Sequence, residues 1–228
     1  LAISVCLAAF SLPVMAGGQA TIVSSGGEGP STVVVKWRDS DKVRIQPQGQ
    51  PGYMLLLDGK PYSVTNVQGQ SMVMDMSSMG QMAGQQSGGK SAPEIGPEHA
   101  TKLLSMEETG RTETIAGIEG SVYEVTWQDA NGKQHTDEAV LSDDETVASM
   151  SRAFMNFAKA SDIGSETEDP DAIGKELRDR GLGVLRFTDG YRVEKISGDT
   201  PPAGEFELPA EPMSMQEMMG NMMKQRGQ

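Results

Sequence analysis

Short runs of alternating apolar and polar residues are the main pattern in this chain, and they predict a sheet. Tyr123, Val125 and Trp127 alternate with Glu and Thr, so one strand would present these three large side chains on a single face. Asn131-Gly132 follows and is typical of a tight turn, after which a second run of strand character begins. We therefore predict a hairpin in the middle of an antiparallel sheet.

Further runs of strand character precede and follow this hairpin. Several are joined by turn sequences, of which Asp58-Gly59 between two apolar runs is the strongest. Short strands joined by tight turns predict a meander. The predicted strands cover 32–37, 42–46, 53–57, 60–67, 71–76 and 103–106 before the hairpin, and 184–188, 191–196 and 204–209 after it.

Two helices are predicted between the hairpin and the later strands. Ser142 and Glu145 fit a capping box, and apolar residues at helical spacing continue the first helix to about Ala160. Asp169-Pro170 is typical of the start of a second, shorter helix, and Gly181 would end it. The predicted fold class is α+β, mainly antiparallel β, with a curved sheet or incomplete β-barrel and two inserted helices.

Changes in composition divide the chain into segments. Residues 1–16 have the apolar run and small residues of a signal peptide. A Gly/Ser-rich stretch over 17–30 predicts a flexible lead-in, and 31–210 would form a single half-barrel domain. Within that domain, 77–98 predicts a mobile connection rich in Gly, Gln, Ser and Met, and 211–228 is a methionine-rich tail with a helical pattern.

Net charge and cysteine content restrict the cellular compartment and the classes of partner that we expect for this protein. Cleavage near Ala16 would leave a cysteine-free chain, which we expect in the periplasm of a bacterium or secreted. The net charge of −13 argues against binding to nucleic acid or to an anionic membrane surface. No later segment is apolar over the length that a transmembrane helix needs. We expect a monomer whose partner is an apolar small molecule, a lipid or another protein.

Local sequence is distinctive in five segments of the predicted sheet: 42–45, 55–62, 72–76, 114–125 and 206–210. In order and wording these segments resemble a family of exported bacterial proteins of unknown function. That family shares the incomplete barrel of the LolA/LolB lipoprotein carriers. The resemblance implies a periplasmic, LolA-like half-barrel with an apolar concave face, and it carries no catalytic signature.

A curved sheet of this kind predicts a non-enzymatic binding or carrier protein. Its ligand would be a lipid, an acyl chain or an apolar segment of a lipoprotein-like partner, held on the concave face. Strand alternation selects the candidate lining residues, although a register shift of one residue would invert the choice of face. These candidates are Val33, Val35, Trp37, Met54, Leu56, Tyr123, Val125 and Trp127.

Enzymatic chemistry is the weakest of the hypotheses. His135 could act as a general base, but no serine or cysteine has the surroundings of a nucleophile, such as Gly-x-Ser-x-Gly. His99 lies in the predicted mobile connection. We expect His135 to be a solvated residue on an edge strand, and we expect neither catalytic residues nor a cofactor.

Methionine is the one unusual feature of the composition. Of the 16 methionines, many fall in two clusters, one in the strand at 71–76 and one in the tail. Thioether sulfur is a soft ligand, so the alternative hypothesis is a periplasmic Cu(I)-binding or metal-stress protein. Methionine is also an adaptable apolar residue, so both clusters could instead serve packing or partner contact. The candidate copper ligands are Met72, Met74, Met76, Met215, Met218 and Met222.

Overall fold

The computed structural model describes residues 17–26, 29–67, 69–77, 100–129, 131–161, 172–214 and 217. Over these residues twelve strands form one sheet, and two helices accompany it. The predicted signal peptide, nearly all of the predicted mobile connection and most of the methionine-rich tail lie outside the described residues.

The first half of the chain is a six-stranded meander in which consecutive strands pair. Asp58 and Gly59 both have positive φ angles, of 50° and 77°, as a two-residue turn of this sequence requires. The strands are β1 (Gly18–Gly26), β2 (Gly29–Asp39), β3 (Lys42–Pro47), β4 (Gly52–Leu57), β5 (Lys60–Val67) and β6 (Gln70–Asp75).

The second half contains the predicted hairpin and both helices. Strand pairing joins β8 to β7 and to β9, so the central hairpin is confirmed. The elements are β7 (Ala100–Ile115), β8 (Ile118–Asp129), β9 (Gln134–Ser142), α1 (Glu145–Ala160), α2 (Ala172–Arg180), β10 (Gly183–Phe187), β11 (Tyr191–Ser197) and β12 (Pro212–Met213).

The sheet is open rather than closed into a barrel. Its strand order is β12-β6-β5-β4-β3-β2-β1-β11-β10-β9-β8-β7, and every pairing between neighbours is antiparallel except that of β12 with β6. Helix α1 packs across β10, β11, β1, β2, β3 and β5 on one face, which we call the concave face. A mainly antiparallel open sheet with two helices agrees with the predicted fold class.

Strand β1 corrects the prediction of a flexible lead-in at 17–30. It lies in the middle of the sheet, between β2 and β11. Although β1 is rich in Gly and Ser, its residues alternate between buried and more exposed positions. Ala20 and Ile22 are 2% and 0% exposed. Ala20 pairs with Val35 and Ile22 pairs with Val33, so both side chains enter the core from the concave face. Burial of these two residues stabilises β1 as a strand.

The cap of α1 differs from the predicted capping box at Ser142. Ser142 is the last residue of β9 and pairs with Gly183, so its backbone stays in the sheet. Asp144 is the N-cap instead, and its Oδ1 accepts hydrogen bonds from the amides of Thr146 and Val147 at 2.9 and 3.2 Å. A carboxylate here satisfies two free amides and also interacts favourably with the helix dipole.

An ion-pair network connects four strands on the face opposite α1. Arg186 of β10 contacts Glu113 of β7 at 3.0 Å and Glu138 of β9 at 2.7 Å. Arg192 of β11 pairs with Glu113 at 3.1 Å, and Arg111 pairs with Glu138. For Glu113, burial opposes ionisation, but hydrogen bonds from Arg192 and Arg186 outweigh it and lower the pKa. Hydrogen bonds from Arg186 and Arg111 likewise lower the pKa of Glu138.

This network predicts a loss of stability in acid. Because the folded-state pKa values are lowered, the network stabilises fully above the ordinary glutamate pKa of 4.5 and loses that contribution as pH falls through the lowered values. We expect Glu113→Gln to be less stable than the wild type at pH 7, with a difference that shrinks towards pH 3. Urea unfolding followed by circular dichroism at pH 7, 5, 4 and 3 measures this. Glu107→Gln, an exposed glutamate on the same strand, should parallel the wild type, whereas a constant difference for Glu113→Gln would contradict the prediction.

Candidate functional site: the concave face and its methionine margin

The register of the sheet brings the predicted lining residues onto one face. Val35 pairs with Ile45, and Ile45 pairs with Met54, so these three residues form one row across β2, β3 and β4. Trp37, Val43 and Leu56 form the neighbouring row. Directly paired residues of antiparallel strands share a face, and α1 packs over this one. The alternation in the sequence therefore selects side chains that lie together.

Other side chains of the protein already pack against the predicted lining residues. All eight predicted lining positions belong to one core cluster that also contains Met150, Phe154 and Phe157 of α1. A ligand in contact with the centre of this face must displace part of α1. The exposed fractions are Val33 3%, Val35 0%, Trp37 0%, Met54 8%, Leu56 1%, Tyr123 8%, Val125 2% and Trp127 7%.

Polar contacts fix α1 on the sheet. The Nε1 of Trp37 donates to the Oγ of Ser149 at 3.0 Å, and the Nδ2 of Asn156 donates to the carbonyl of Ser40 at 3.2 Å. The Oγ of Ser151 accepts from the Val184 amide at 2.9 Å. These bonds satisfy polar groups that burial would otherwise leave without partners. They hold the helix over β10, β2 and the turn between β2 and β3.

The end of β8 carries a polar and aromatic cluster. The rings of Trp127 and His135 stack with centroids 4.3 Å apart and planes 12° apart. The Nε1 of Trp127 donates to Asp137 at 2.5 Å, and His135 Nε2 lies 2.9 Å from the Oδ2 of Asp129. Hydrogen bonds from His135 and from the amides of Lys133 and Asn131 lower the pKa of Asp129. Asp129 therefore organises the β8–β9 turn.

This cluster also corrects the placement of His135. Strand β9 lies between β8 and β10, so His135 is on an interior strand and not on an edge. Its side chain is 31% exposed and is engaged by Trp127 and Asp129. These two contacts hold the imidazole at the end of the hairpin. His99 lies outside the described residues.

The concave face continues beyond α1 into a strip of methionines that we call the methionine margin: Met54, Met72, Met74, Met76 and Met213. Met54 pairs with Ser63 and Ser63 pairs with Met74, which places these residues in one row across β4, β5 and β6. Met213 of β12 is in register with Met74. Met54 is 8% exposed, whereas the other four are half-buried. The margin is thus the more accessible part of the apolar face.

A segment crossing the opposite face explains how the C-terminal part of the chain reaches β6. We call residues 201–208 the strap. The Nζ of Lys36 contacts Glu205 at 2.5 Å, Arg44 Nη1 donates to the Glu205 carbonyl at 3.2 Å, and Arg38 donates to the Pro201 carbonyl at 2.7 Å. Phe206, 5% exposed, packs in a second core cluster with Leu55, Tyr62, Val64 and Val73.

The strap replaces the last strand that the alternation at 204–209 predicts. Residues Ala203–Phe206 form a 3₁₀ turn that lies over the sheet instead of joining it. The apolar side chains Phe206 and Leu208 are buried or partly buried there, as they would be in a strand. The alternation therefore identifies the buried residues of this segment correctly, but it predicts a strand where the backbone forms a 3₁₀ turn.

The predicted copper ligands are only partly described. Met72, Met74 and Met76 lie together in the margin, whereas Met215, Met218 and Met222 lie outside the described residues. Ser214 and Glu217 form a capping box at the start of the tail, since Ser214 N donates to Glu217 at 2.8 Å and Glu217 N donates to Ser214 Oγ at 3.3 Å. Helical spacing in the tail does not select Met213, because this residue precedes the helical pattern. Over the described residues, no three His, Cys, Asp or Glu side chains form a group that could hold a metal.

Comparisons with known proteins identify no family. No family model matches the chain, and no curated protein matches it. A weak similarity is found to the complex structure of Pseudomonas aeruginosa MucA/MucB, with a TM-score of 0.29 and 14% identity. It covers 84% of this chain and 55% of that one, so this chain spans about half the length of the matched protein. Neither described helix has the length and apolar character needed to cross a membrane.

Proposed function

We propose that this protein is a non-enzymatic binding or carrier protein that holds an acyl chain on the concave face of its sheet. The ligand enters at the methionine margin and extends towards the residues beneath α1. The observation that carries the proposal is the continuity of the apolar face. From Trp37, which is fully buried, the face runs outwards to half-buried methionines on β6 and β12.

The margin suits an apolar and adaptable occupant. Met54, Ser63, Thr65 and Met74 share the face across β4 to β6, and none of them carries a charge. Methionine side chains have three rotatable bonds, so they can rearrange around an acyl chain of variable shape. The width from β4 to β12 is three strand spacings, or about 14 Å, which accommodates a single chain.

The head group of the ligand is proposed to be neutral. The chain carries a net charge of −13, so an anionic head group would be repelled at low ionic strength. A LolA/LolB-like half-barrel and a periplasmic location belong to the same proposal. Their support is the order of strands, the sequence segments named above and the apolar segment 1–16.

Displacement of a fluorescent probe tests the proposal. 1-Monopalmitoylglycerol should displace 1-N-phenylnaphthylamine from residues 17–228 and reduce its fluorescence. We expect Met74→Asp to weaken this binding at least tenfold, because a carboxylate would enter the apolar margin. Met74→Leu keeps the apolar surface and should bind as the wild type does.

The control places the same charge elsewhere. Leu104 of β7 is 43% exposed at the opposite end of the sheet, so Leu104→Asp should leave binding unchanged. Circular dichroism establishes that each variant is folded. An absence of displacement in the wild type, or equal affinity in Met74→Asp, would refute the proposal.

A further inference from the structure

We infer that the methionine margin is a Cu(I) site in which Met74 and Met213 are the central thioether ligands. Met72 or Met76 supplies the third sulfur. This inference is independent of acyl-chain binding, because it needs the sulfur atoms and not only the apolar surface of these residues.

The pairing of β12 with β6 brings together methionines from distant parts of the chain. Met213 lies directly beside Met74 in the parallel register, at one strand spacing of about 4.8 Å. Pro212 is in register with Val73, so the two methionines occupy corresponding positions on the same face. The strap and its contacts with Lys36 and Arg44 lead the chain to this edge.

The other donors follow from strand alternation. Met72 and Met76 lie two residues on either side of Met74, about 6.7 Å away along the strand and on the same face. The amide of Met76 donates to the Pro61 carbonyl at 3.0 Å, so the chain stays extended beside β5 up to this residue. Three rotatable bonds in each side chain allow three sulfur atoms to converge on one ion.

The donor set determines the metal. Thioethers are soft ligands that bind Cu(I), whereas Zn²⁺, Mg²⁺ and Ca²⁺ prefer nitrogen, oxygen or thiolate donors. Residues 17–228 contain no cysteine, so no thiol of the exported chain competes for the ion. The four methionines on β6, on β12 and directly after β6 are half-buried, which leaves the sulfur atoms within reach of an incoming ion.

Competition for Cu(I) with bicinchoninate tests the site. The probe is Cu(I) kept reduced by ascorbate, added to residues 17–228, and the absorbance of the Cu(I)–bicinchoninate complex reports the transfer. We expect Met74→Leu and Met213→Leu each to weaken binding at least tenfold. X-ray absorption of the wild-type complex should show sulfur ligands.

The matched control removes a thioether from another part of the sheet. Met106 of β7 is 6% exposed and lies at the opposite end, so Met106→Leu should bind Cu(I) as the wild type does. Unchanged affinity in the double variant Met74→Leu/Met213→Leu would overturn the inference and would assign any binding to the rest of the tail. Leucine preserves the apolar surface, so loss of Cu(I) with retained monopalmitoylglycerol binding separates this site from the proposed function.

Discussion

Trp37→Ala is expected to lower the free energy of unfolding by about 3–5 kcal/mol, the range for removal of a buried tryptophan. The side chain is 0% exposed and packs between the concave face and α1. Its loss would leave a large cavity and would also remove the hydrogen bond from Nε1 to Ser149. Because α1 contacts six strands, it can move only slightly to fill a cavity at one of them.

Two further variants separate the cavity from the hydrogen bond. Trp37→Phe keeps an aromatic ring, and Ser149 Oγ retains its bond to the Thr146 carbonyl at 3.0 Å, so we expect a smaller loss of about 1–2 kcal/mol. Leu104→Ala, at a residue that is 43% exposed, should stay within about 0.5 kcal/mol of the wild type. Urea unfolding followed by circular dichroism gives all three values. A loss below 1 kcal/mol for Trp37→Ala would mean that α1 is not packed as described.

Gly183→Ala is expected to cost about 1–3 kcal/mol, although it adds only one methyl group. An added Cβ would lie 2.4 Å from the carbonyl carbon and oxygen of Val147 and 2.6 Å from the Ala148 nitrogen. These atoms belong to the backbone of the first turn of α1, so no side-chain rotation can relieve the clash. The helix would have to move away from β10, and the Ser151–Val184 hydrogen bond would weaken with it.

The control for this variant is Gly190→Ala. An added Cβ at Gly190 meets no atom within 4 Å, and its backbone is not in the positive-φ region. We expect no measurable loss of stability there. Equal unfolding midpoints for the two variants in urea would contradict the close approach of β10 to α1. A selective loss for Gly183→Ala would show that contact between backbones sets the position of the helix.

Local chemistry accounts for the parts of the fold that the sequence predicts well. The Asp58-Gly59 turn needs only two residues that tolerate positive φ, and the alternation of Tyr123, Val125 and Trp127 needs only a strand. Strand β1, in contrast, is stabilised by pairing with β11, which is near the other end of the chain. The local composition of β1 contains no information about a pairing strand so distant in the sequence.

The same limit applies to the candidate site. Alternation correctly places Val35 and Trp37 on one face, but their burial beneath α1 depends on where that helix packs. The helical periodicity of the tail does not include Met213. This residue lies in a two-residue strand, and the strap brings that strand beside β6. The sequence does show the methionine cluster on β6, because those residues alternate within one strand.

The pairing of β1 with β11 is also a contact of very long range in the sequence. Gln19 is paired with Ser197, so the centre of the sheet joins residues separated by most of the described sequence. Contacts of such long range require a costly loop closure and slow the folding of β-rich domains. Among the described residues, α1 covers one face of the first meander and the strap covers the other, and both follow the meander in the chain. The N-terminal strands therefore gain their cover from later segments, and we expect the domain to fold slowly.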